Sequence, residues 1–424
     1  VNVKIAVIGS GVSGMVSAHV LARAHEVHLF EAAPRLGGHT HTHEVKVASG
    51  TYNVDTGFIV HNDRNYPNFV KLMEQLGIET KDSSMSFSVK VEENGLEYNG
   101  TTINSLFCQR RNFFNPSFYR MIKDILRFNE EATKYFLEHK EEDPHRMTLE
   151  DYLKQNKYSR EFTEYYIMPM GAAIWSASRE EMRQFPLHFF VRFFHHHGML
   201  TVDQRPQWKV LVGGSKQYIP KLTANYAQNI HLDSPVKTVT RTEAGVVVEF
   251  LEKGLSQKLT FDHVIFACHA DQAMKILADA TAVEKDVMGG FSYRPNDVLL
   301  HTDTSVLPKK KLGHAAWNYY LPKVQGDRVA VTYHMNILQG LPAPETFLVS
   351  LNMDHLIDPK KVIKSINYSH PVYNLGAVTS QRRWSEVSNL KNRTHFCGAY
   401  WGNGFHEDGV KSALKVTESF GLGL

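Results

Sequence analysis

VKIAVIGSGVSGMVSAHVLARAHEVHLFE, residues 3–31, decides how this chain is read. Its first six residues are apolar and largely β-branched, the pattern of a buried parallel strand. They run straight into Gly9-Ser10-Gly11-Val12-Ser13-Gly14, a GxGxxG turn, and then into Ala, Val and Leu at helical spacing over residues 15–24. Residues 26–30 read as a second strand that delivers Glu31. Strand, glycine turn, helix and strand in about 30 residues form the context in which GxGxxG signifies a dinucleotide site. Gly9 allows the tight turn, Gly11 lets the backbone approach a pyrophosphate, and Gly14 lets the helix pack on the strand. The helix N-terminus then offers free N–H groups and a partial positive charge to the phosphates. Glu31, 20 residues beyond Gly11, is placed to accept hydrogen bonds from a ribose 2′-hydroxyl and would repel a 2′-phosphate.

Outward from this unit, residues 52–55 and 85–90 read as strands flanking a helical segment at 66–76. Residues 105–140 are helix-like and rich in aromatic and basic side chains, and helical signals continue to about residue 200. Strands dominate from residue 229: 236–240, 246–251 and 264–267, then 297–302, 315–321, 329–334 and 346–351. The last 30 residues repeat the opening theme, with a strand at 394–397, a glycine-rich turn and a helix over 409–420. The alternation predicts an α/β fold of two interleaved domains. A Rossmann-like dinucleotide domain would be assembled from residues 1–80, 205–290 and 385–424. A mixed α+β substrate domain would take residues 81–204 and 291–384.

Composition supports an ordinary globular protein. The chain has 424 residues, 42% of them hydrophobic, ample for two packed cores. Its 47 Lys+Arg against 44 Asp+Glu give a formal charge of +3, too balanced for the broad cationic face of a nucleic-acid binder, and no nucleic-acid partner is expected. Cys108, Cys268 and Cys397 show neither zinc spacing nor a disulfide framework. No run approaches the roughly 18–20 apolar residues that span a bilayer. A cytoplasmic protein is expected, with peripheral contact at the inner face of the membrane left open.

Two further stretches choose among dinucleotides. Glu31-Ala32-Ala33-Pro34-Arg35-Leu36-Gly37-Gly38-His39-Thr40 and Asp55-Thr56-Gly57-Phe58-Ile59 resemble the ExxxRxGGR(T/A) and DxGG elements of the flavin-dependent amine oxidase superfamily. At the other end, Gly398-Ala399-Tyr400-Trp401 and the run to Asp408-Gly409-Val410 resemble that family's closing strand, turn and cofactor-facing helix. The resemblance implies noncovalently bound FAD, contacted by residues 9–14, Glu31, Ala32, Gly37, Gly38, His39, Thr40, Gly57, Phe58, Ile59, Gly398, Ala399, Asp408, Gly409 and Val410. Val236 would lie by the adenine, and Ala267 and Cys268 on the return to the dinucleotide domain. Two positions depart from the pattern: His39 stands where the family carries Arg, and Ala399 replaces an acidic residue.

A narrower resemblance runs through VDTGFIVHNDRNYPNFVKLMEQLGI (54–78), HTDTSVLP (301–308), WNYY (317–320), TYHMNILQ (332–339) and GAYWGNGFHEDG (398–409). These look like a bacterial subgroup of amine-oxidase-like proteins similar to the N-terminal flavoprotein part of plant cyclopropane fatty acid synthases. The implied function is FAD-dependent oxidation, desaturation or isomerisation of a hydrophobic substrate, an acyl lipid, by hydride transfer to flavin N5. Amine oxidation stays open as an alternative. So does a noncatalytic FAD protein that serves a lipid methyltransferase partner.

For proton handling, the strand at 297–301 places His301 where many amine oxidases hold a lysine; a polar strand-end residue is the alternative. Tyr333 and His334 alternate on a strand, so one of the two faces the same cavity. Tyr400 and Trp401 would wall the substrate side, or else pack in the core. His195-His196-His197 are adjacent on a helix and point about 100° apart, so they are not expected to bind a metal. The aromatic and basic residues of 105–127 fit either a membrane interface or a helix packed on its own domain.

Overall fold

The computed structural model describes residues 2–140, 146–201, 205–324 and 328–424. Strand β1 (Lys4–Ile8), helix α1 (Val12–Leu21) and strand β2 (Glu26–Phe30) form where the sequence places them. Every residue of β1 beyond Lys4 is buried, which explains the absence of polar alternation. The two strands are central in a five-stranded parallel sheet ordered Ile230–His231, β2, β1, His263–Phe266, Thr394–Phe396. Segments from both ends and the middle of the chain therefore lie side by side, and all five strands end on one edge. That edge is where parallel α/β sheets bind ligands.

A second sheet has seven strands, ordered Val362–Val372, Ser292–His301, Leu348–Leu351, Val331–His334, Trp317–Leu321, Phe87–Val91, Glu97–Asn99. All its pairings are antiparallel except Trp317–Leu321 with Phe87–Val91. One face packs on the helices Pro116–Glu138, Met168–Trp175 and Leu187–His196 around the largest apolar core. Phe189, Phe190, Phe193 and Phe194 of the histidine-ended helix are buried in that core.

The helix-like stretch 105–140 is broken in the structure. A short helix, Ile103–Leu106, and a turn, Arg110–Phe114, precede the long helix Pro116–Glu138. The break falls at Asn115-Pro116 because proline keeps the preceding residue extended, and Asn115 sits at φ −103°, ψ 103°. Its side chain then caps the long helix by accepting from the Ser117 N–H at 3.1 Å. The long helix buries Phe118, Met121, Phe128, Ala132 and Phe136 along one face, so it is packed on its own domain. No helix among the described residues is long and apolar enough to cross a membrane.

Candidate active site

A cleft of about 720 Å³ opens at the strand-end edge of the parallel sheet and continues to the second sheet. Its first wall is the glycine turn. The Gly9 N–H donates to Phe30 O at 2.9 Å, and Gly9 adopts φ 105° with no room for a Cβ, which would lie 2.7 Å from Ala267 O. Gly14 is tighter: its Cβ would stand 2.0 Å from Gly9 O. Gly11 is the opposite case, since a Cβ there would meet nothing within 4 Å and would project into open space. No side chain caps α1. The Glu31 carboxylate accepts from Ser10 N at 3.0 Å, Ser10 Oγ at 2.5 Å and Ala33 N at 2.8 Å, which fixes it at the rim.

The loop after Glu31 folds back over this turn. A Cβ on Gly38 would come within 3.0 Å of Gly11 Cα, and Gly37 N–H donates to Ser10 O at 3.0 Å. Arg35 staples the loop from below, donating to the carbonyls of Leu36, Thr40 and Gly38 at 3.3, 3.2 and 2.8 Å. Gly57 lies against His39, where a Cβ would stand 1.9 Å from His39 O. The arginine of the ExxxRxGG element thus holds loop geometry.

Most of the residues singled out as cofactor contacts line this one cleft: residues 9–13, Glu31, Ala32, Gly37, Gly38, His39, Gly57, Phe58, Ile59, Val236, Ala267, Cys268, Gly398 and Ala399. Gly14, Thr40, Asp408, Gly409 and Val410 do not. Gly14 is consumed by helix packing, and Thr40 Oγ1 is buried 2.5 Å from Tyr218 Oη. The terminal helix begins at His406 and ends at Glu418, three residues earlier at its start than the sequence pattern suggests. Gly409 therefore lies inside it, packed on α1, where a Cβ would stand 2.6 Å from Val12 Cγ1. Asp408 accepts from the Phe405 N–H at 3.0 Å as part of the helix cap, and burial raises its pKa to about 6. Gly404, Phe405 and His406 are the cleft-lining residues of this segment.

Among the catalytic candidates, Tyr333 and Tyr400 line the cleft, whereas His301, His334 and Trp401 do not. His301 belongs to the other face of its strand. Val298 and Leu300 point to the main core and Leu299 to a small satellite core. His301 is buried beyond them, 2.8 Å from Ser350 Oγ, with Nδ1 accepting from Asp303 N at 3.0 Å. His334 sits on the reverse face from Tyr333, as strand alternation requires. Trp401 packs on Phe291 at 4.9 Å between ring centroids.

Sequence reasoning missed Tyr293, Tyr368, His370 and Tyr373. They come from the strand pair Ser292–His301 and Val362–Val372 and the turn after it, and all four line the cleft. The strand Val362–Val372 carries no clean alternation, being mostly polar and partly exposed, so no periodic signal marked it.

The cleft imidazoles are held neutral. Burial, with His370, His269, His406 and Arg35 nearby, keeps His39 well below the usual histidine range. Burial beside His269 pushes His370 down to about 4. The His370 tautomer follows from a chain of amides. Asp297 N–H donates to Asn352 Oδ1 at 3.0 Å, which fixes that amide, and Asn352 Nδ2 donates to Asn296 Oδ1 at 2.8 Å. Asn296 Nδ2 must then donate to His370 Nδ1, at 2.9 Å. His370 consequently carries its proton on Nε2. Nitrogen NMR of the imidazole at neutral pH is expected to show the Nε2–H form, and Asn296→Leu to shift it toward a tautomer mixture; an Nδ1–H form in the parent protein would refute the assignment.

Four buried polar atoms on lining residues, His39 Nε2, Trp317 Nε1, Tyr373 Oη and Tyr400 Oη, have no protein partner among the described residues. Buried polar groups are normally satisfied, so a polar bound molecule fits here. The open space above Gly11, the uncapped helix and the anchored Glu31 fit the pyrophosphate and ribose of a dinucleotide.

A parallel sheet with this glycine turn, joined through one cleft to a second sheet, defines a two-domain dinucleotide-dependent oxidoreductase fold. The sequence model of the flavin-containing amine oxidoreductase family matches residues 12–330, and the chain belongs to that family. It is therefore a flavin-containing oxidoreductase. No curated protein sequence matches it significantly. Solved structures with the same fold include cyclohexylamine oxidase from Brevibacterium oxydans, at 15% identity and TM-score 0.67 over 99% of this chain and 100% of that one. Putrescine oxidase matches at 13% identity and TM-score 0.68, over 99% of each chain. A CLA-producing fatty acid isomerase from P. acnes matches at 13% identity and TM-score 0.67, also over 99% of each.

Proposed function

We propose that this protein binds FAD noncovalently and acts on the hydrocarbon chain of an acyl lipid. The dinucleotide-binding unit would comprise residues 1–80, 205–290 and 385–424, and the substrate unit residues 81–204 and 291–384. The α1 N-terminus and Gly11 would take the pyrophosphate, Glu31 the adenosine ribose, and Val236 the adenine side. When bound, the flavin supplies a hydride acceptor.

The observation that carries the substrate reading is the lining of the far half of the cleft. Met85, Phe87, Met170, Ile174, Val298, Leu338 and Leu351 give it an apolar surface. Among the described lining residues Glu31 is the one carboxylate, and it is held by Ser10 and Ala33. A protonated amine would enter this half with no counter-charge to offset its desolvation. An acyl chain has no such cost, and the exposed Arg205 at the cleft edge is the one Lys or Arg of the described lining, suited to an anionic head group.

Of oxidation, desaturation and isomerisation, isomerisation fits the titration of the site. Burial raises Tyr333 and Tyr400, so both hydroxyls keep their protons and act as donors. His370, His197 and His406 are pushed down to about 4, about 4 and about 3, which leaves weak bases. Moving a double bond within a chain requires no net proton loss and no external electron acceptor.

An amine substrate is the second reading, favoured by the aromatic pair Trp317 and Tyr333, perpendicular at 5.0 Å, with Tyr400 also in the cleft. Anaerobic mixing of the FAD-loaded protein with unsaturated fatty acids, cyclohexylamine and putrescine separates the two. Bleaching of the flavin band or double-bond movement is expected with fatty acids alone. Bleaching by an amine with no change in any fatty acid would overturn the acyl reading.

A further inference from the structure

The short helix Ile103–Leu106 and the turn Arg110–Phe114 leave apolar side chains in water. Ile103 is 77% and Phe114 90% exposed, and Phe113 stacks on buried Phe107 at 4.2 Å, which stiffens the turn that presents its neighbour. A loop some 200 residues away in the sequence lies against this ridge. Lys309 N–H donates to both Glu97 oxygens at 3.1 Å, Asn99 Nδ2 donates to His314 O at 2.9 Å, and Gly313 rests on Cys108. The anchored loop packs Lys311–Gly313 against the helix Ile103–Leu106, so Lys309, Lys310, Lys311 and the 40% exposed Leu312 join the surface region that carries Arg110 and Arg111.

Among the described residues, none of these five cations has a side-chain carboxylate within ion-pair distance. Arg110 donates to Phe107 O and to Asn104 Oδ1, and Arg111 to Gly95 O. None of the three lysines has a carboxylate within ion-pair distance among the described residues, and the Glu97 carboxylate is buried beneath the loop. A phenylalanine 90% exposed at its turn needs a soft apolar medium, and the basic frame selects one with an anionic surface.

From this juxtaposition of an aromatic ridge and a tri-lysine loop, we propose that this face docks on an anionic lipid bilayer, with Ile103, Phe114 and Leu312 entering the interface and the lysines and arginines meeting head groups. The surface is separate from the active-site cleft, and its test reads binding alone, so its failure is distinguishable from failure of the acyl-substrate reading.

The experiment is co-sedimentation of the full chain with vesicles of phosphatidylcholine, alone or with about a third phosphatidylglycerol. Binding is expected to the anionic vesicles only, and to fall with salt. Phe114→Ser should weaken it about tenfold, and the triple change Lys309→Glu, Lys310→Glu, Lys311→Glu about a hundredfold, at roughly fivefold or more per cation. Both sets are exposed, and an unchanged melting temperature confirms the fold. Lys253→Glu, on the distant hairpin 245–261, should bind as the parent does. Absence of binding to anionic vesicles, an equal loss in Lys253→Glu, or a dimer in solution that Phe114→Ser dissociates would overturn the proposal; the last would assign the face to a second copy of this chain.

Discussion

Gly11→Ala should fold as the parent protein does and fail to take up flavin, whereas Gly14→Val should fail to fold properly at all. The two glycines belong to one motif, but their surroundings differ. A methyl at Gly11 meets no protein atom within 4 Å, so the folded chain loses only the roughly 1 kcal/mol by which glycine exceeds alanine at a helix N-cap. That methyl stands in the space proposed for the pyrophosphate and holds it off the α1 N–H groups. At Gly14 the first added carbon would overlap Gly9 O at 2.0 Å. Gly9 cannot retreat, because its own Cβ position lies 2.7 Å from Ala267 O and its N–H is bonded to Phe30. Overpacking a rigid contact costs about 1–3 kcal/mol per substitution in ordinary cores, and this one forces backbone against backbone, so about 3 kcal/mol or more is expected. Thermal melting and absorbance near 450 nm after reconstitution with FAD read the two effects separately. A yellow, fully loaded Gly11→Ala protein would remove the pyrophosphate from its proposed place.

Acid should unfold this protein early. Burial lowers His395 and His406 to about 3 and His301 and His370 to about 4, from an ordinary value of 6.5. His395 is the starkest case, fully buried between His263 and Phe420 with neither ring nitrogen partnered among the described residues. The unfolded chain takes up these protons first, so the associated stability is complete above pH 6.5 and is withdrawn as pH falls toward the folded values. Asp55 and Asp408 act the other way. Burial raises both to about 6, so their folded forms take protons first and return some stability below that pH. A tenfold difference in proton affinity between the folded and unfolded chain is worth about 1.4 kcal/mol. Near pH 4.5 the four histidines together outweigh the two carboxylates by about 7 kcal/mol, comparable with a whole domain's stability of about 5–15 kcal/mol. Melting temperatures are expected to be level above pH 7 and to drop by about 6 °C by pH 5. His395→Leu should flatten that drop without altering flavin uptake. A melting temperature unchanged down to pH 5 would refute the account.

What could be read from the residues alone was whatever one local segment decides. The strand, turn, helix and anchored Glu31 of residues 4–31 depend on neighbours in sequence, and they form as read. Errors arose where tertiary contact redirects a local signal. Gly409 looked like the end of a turn, but it is a helical residue kept small by Val12 of α1. His301 looked like the end of a cavity-facing strand, yet pleating sends it to the satellite core with Leu299. His370 was illegible because its significance rests on Asn296 and Asn352, brought to it by pairing of strands some 50–70 residues apart. Nothing in the sequence singled out the Lys309–Lys311 loop, because its setting depends on anchoring to Glu97 and Asn99, some 210 residues earlier.

The side-by-side placement of Lys4–Ile8, His263–Phe266 and Thr394–Phe396 has a consequence for biosynthesis. Until Thr394–Phe396 has been synthesised, the nascent polypeptide presents the unpaired flank of His263–Phe266 and a half-built floor beneath the glycine turn. Cofactor loading is expected to follow synthesis of Thr394–Glu418, and transcripts truncated before Thr394 should yield apoprotein that aggregates through that open flank.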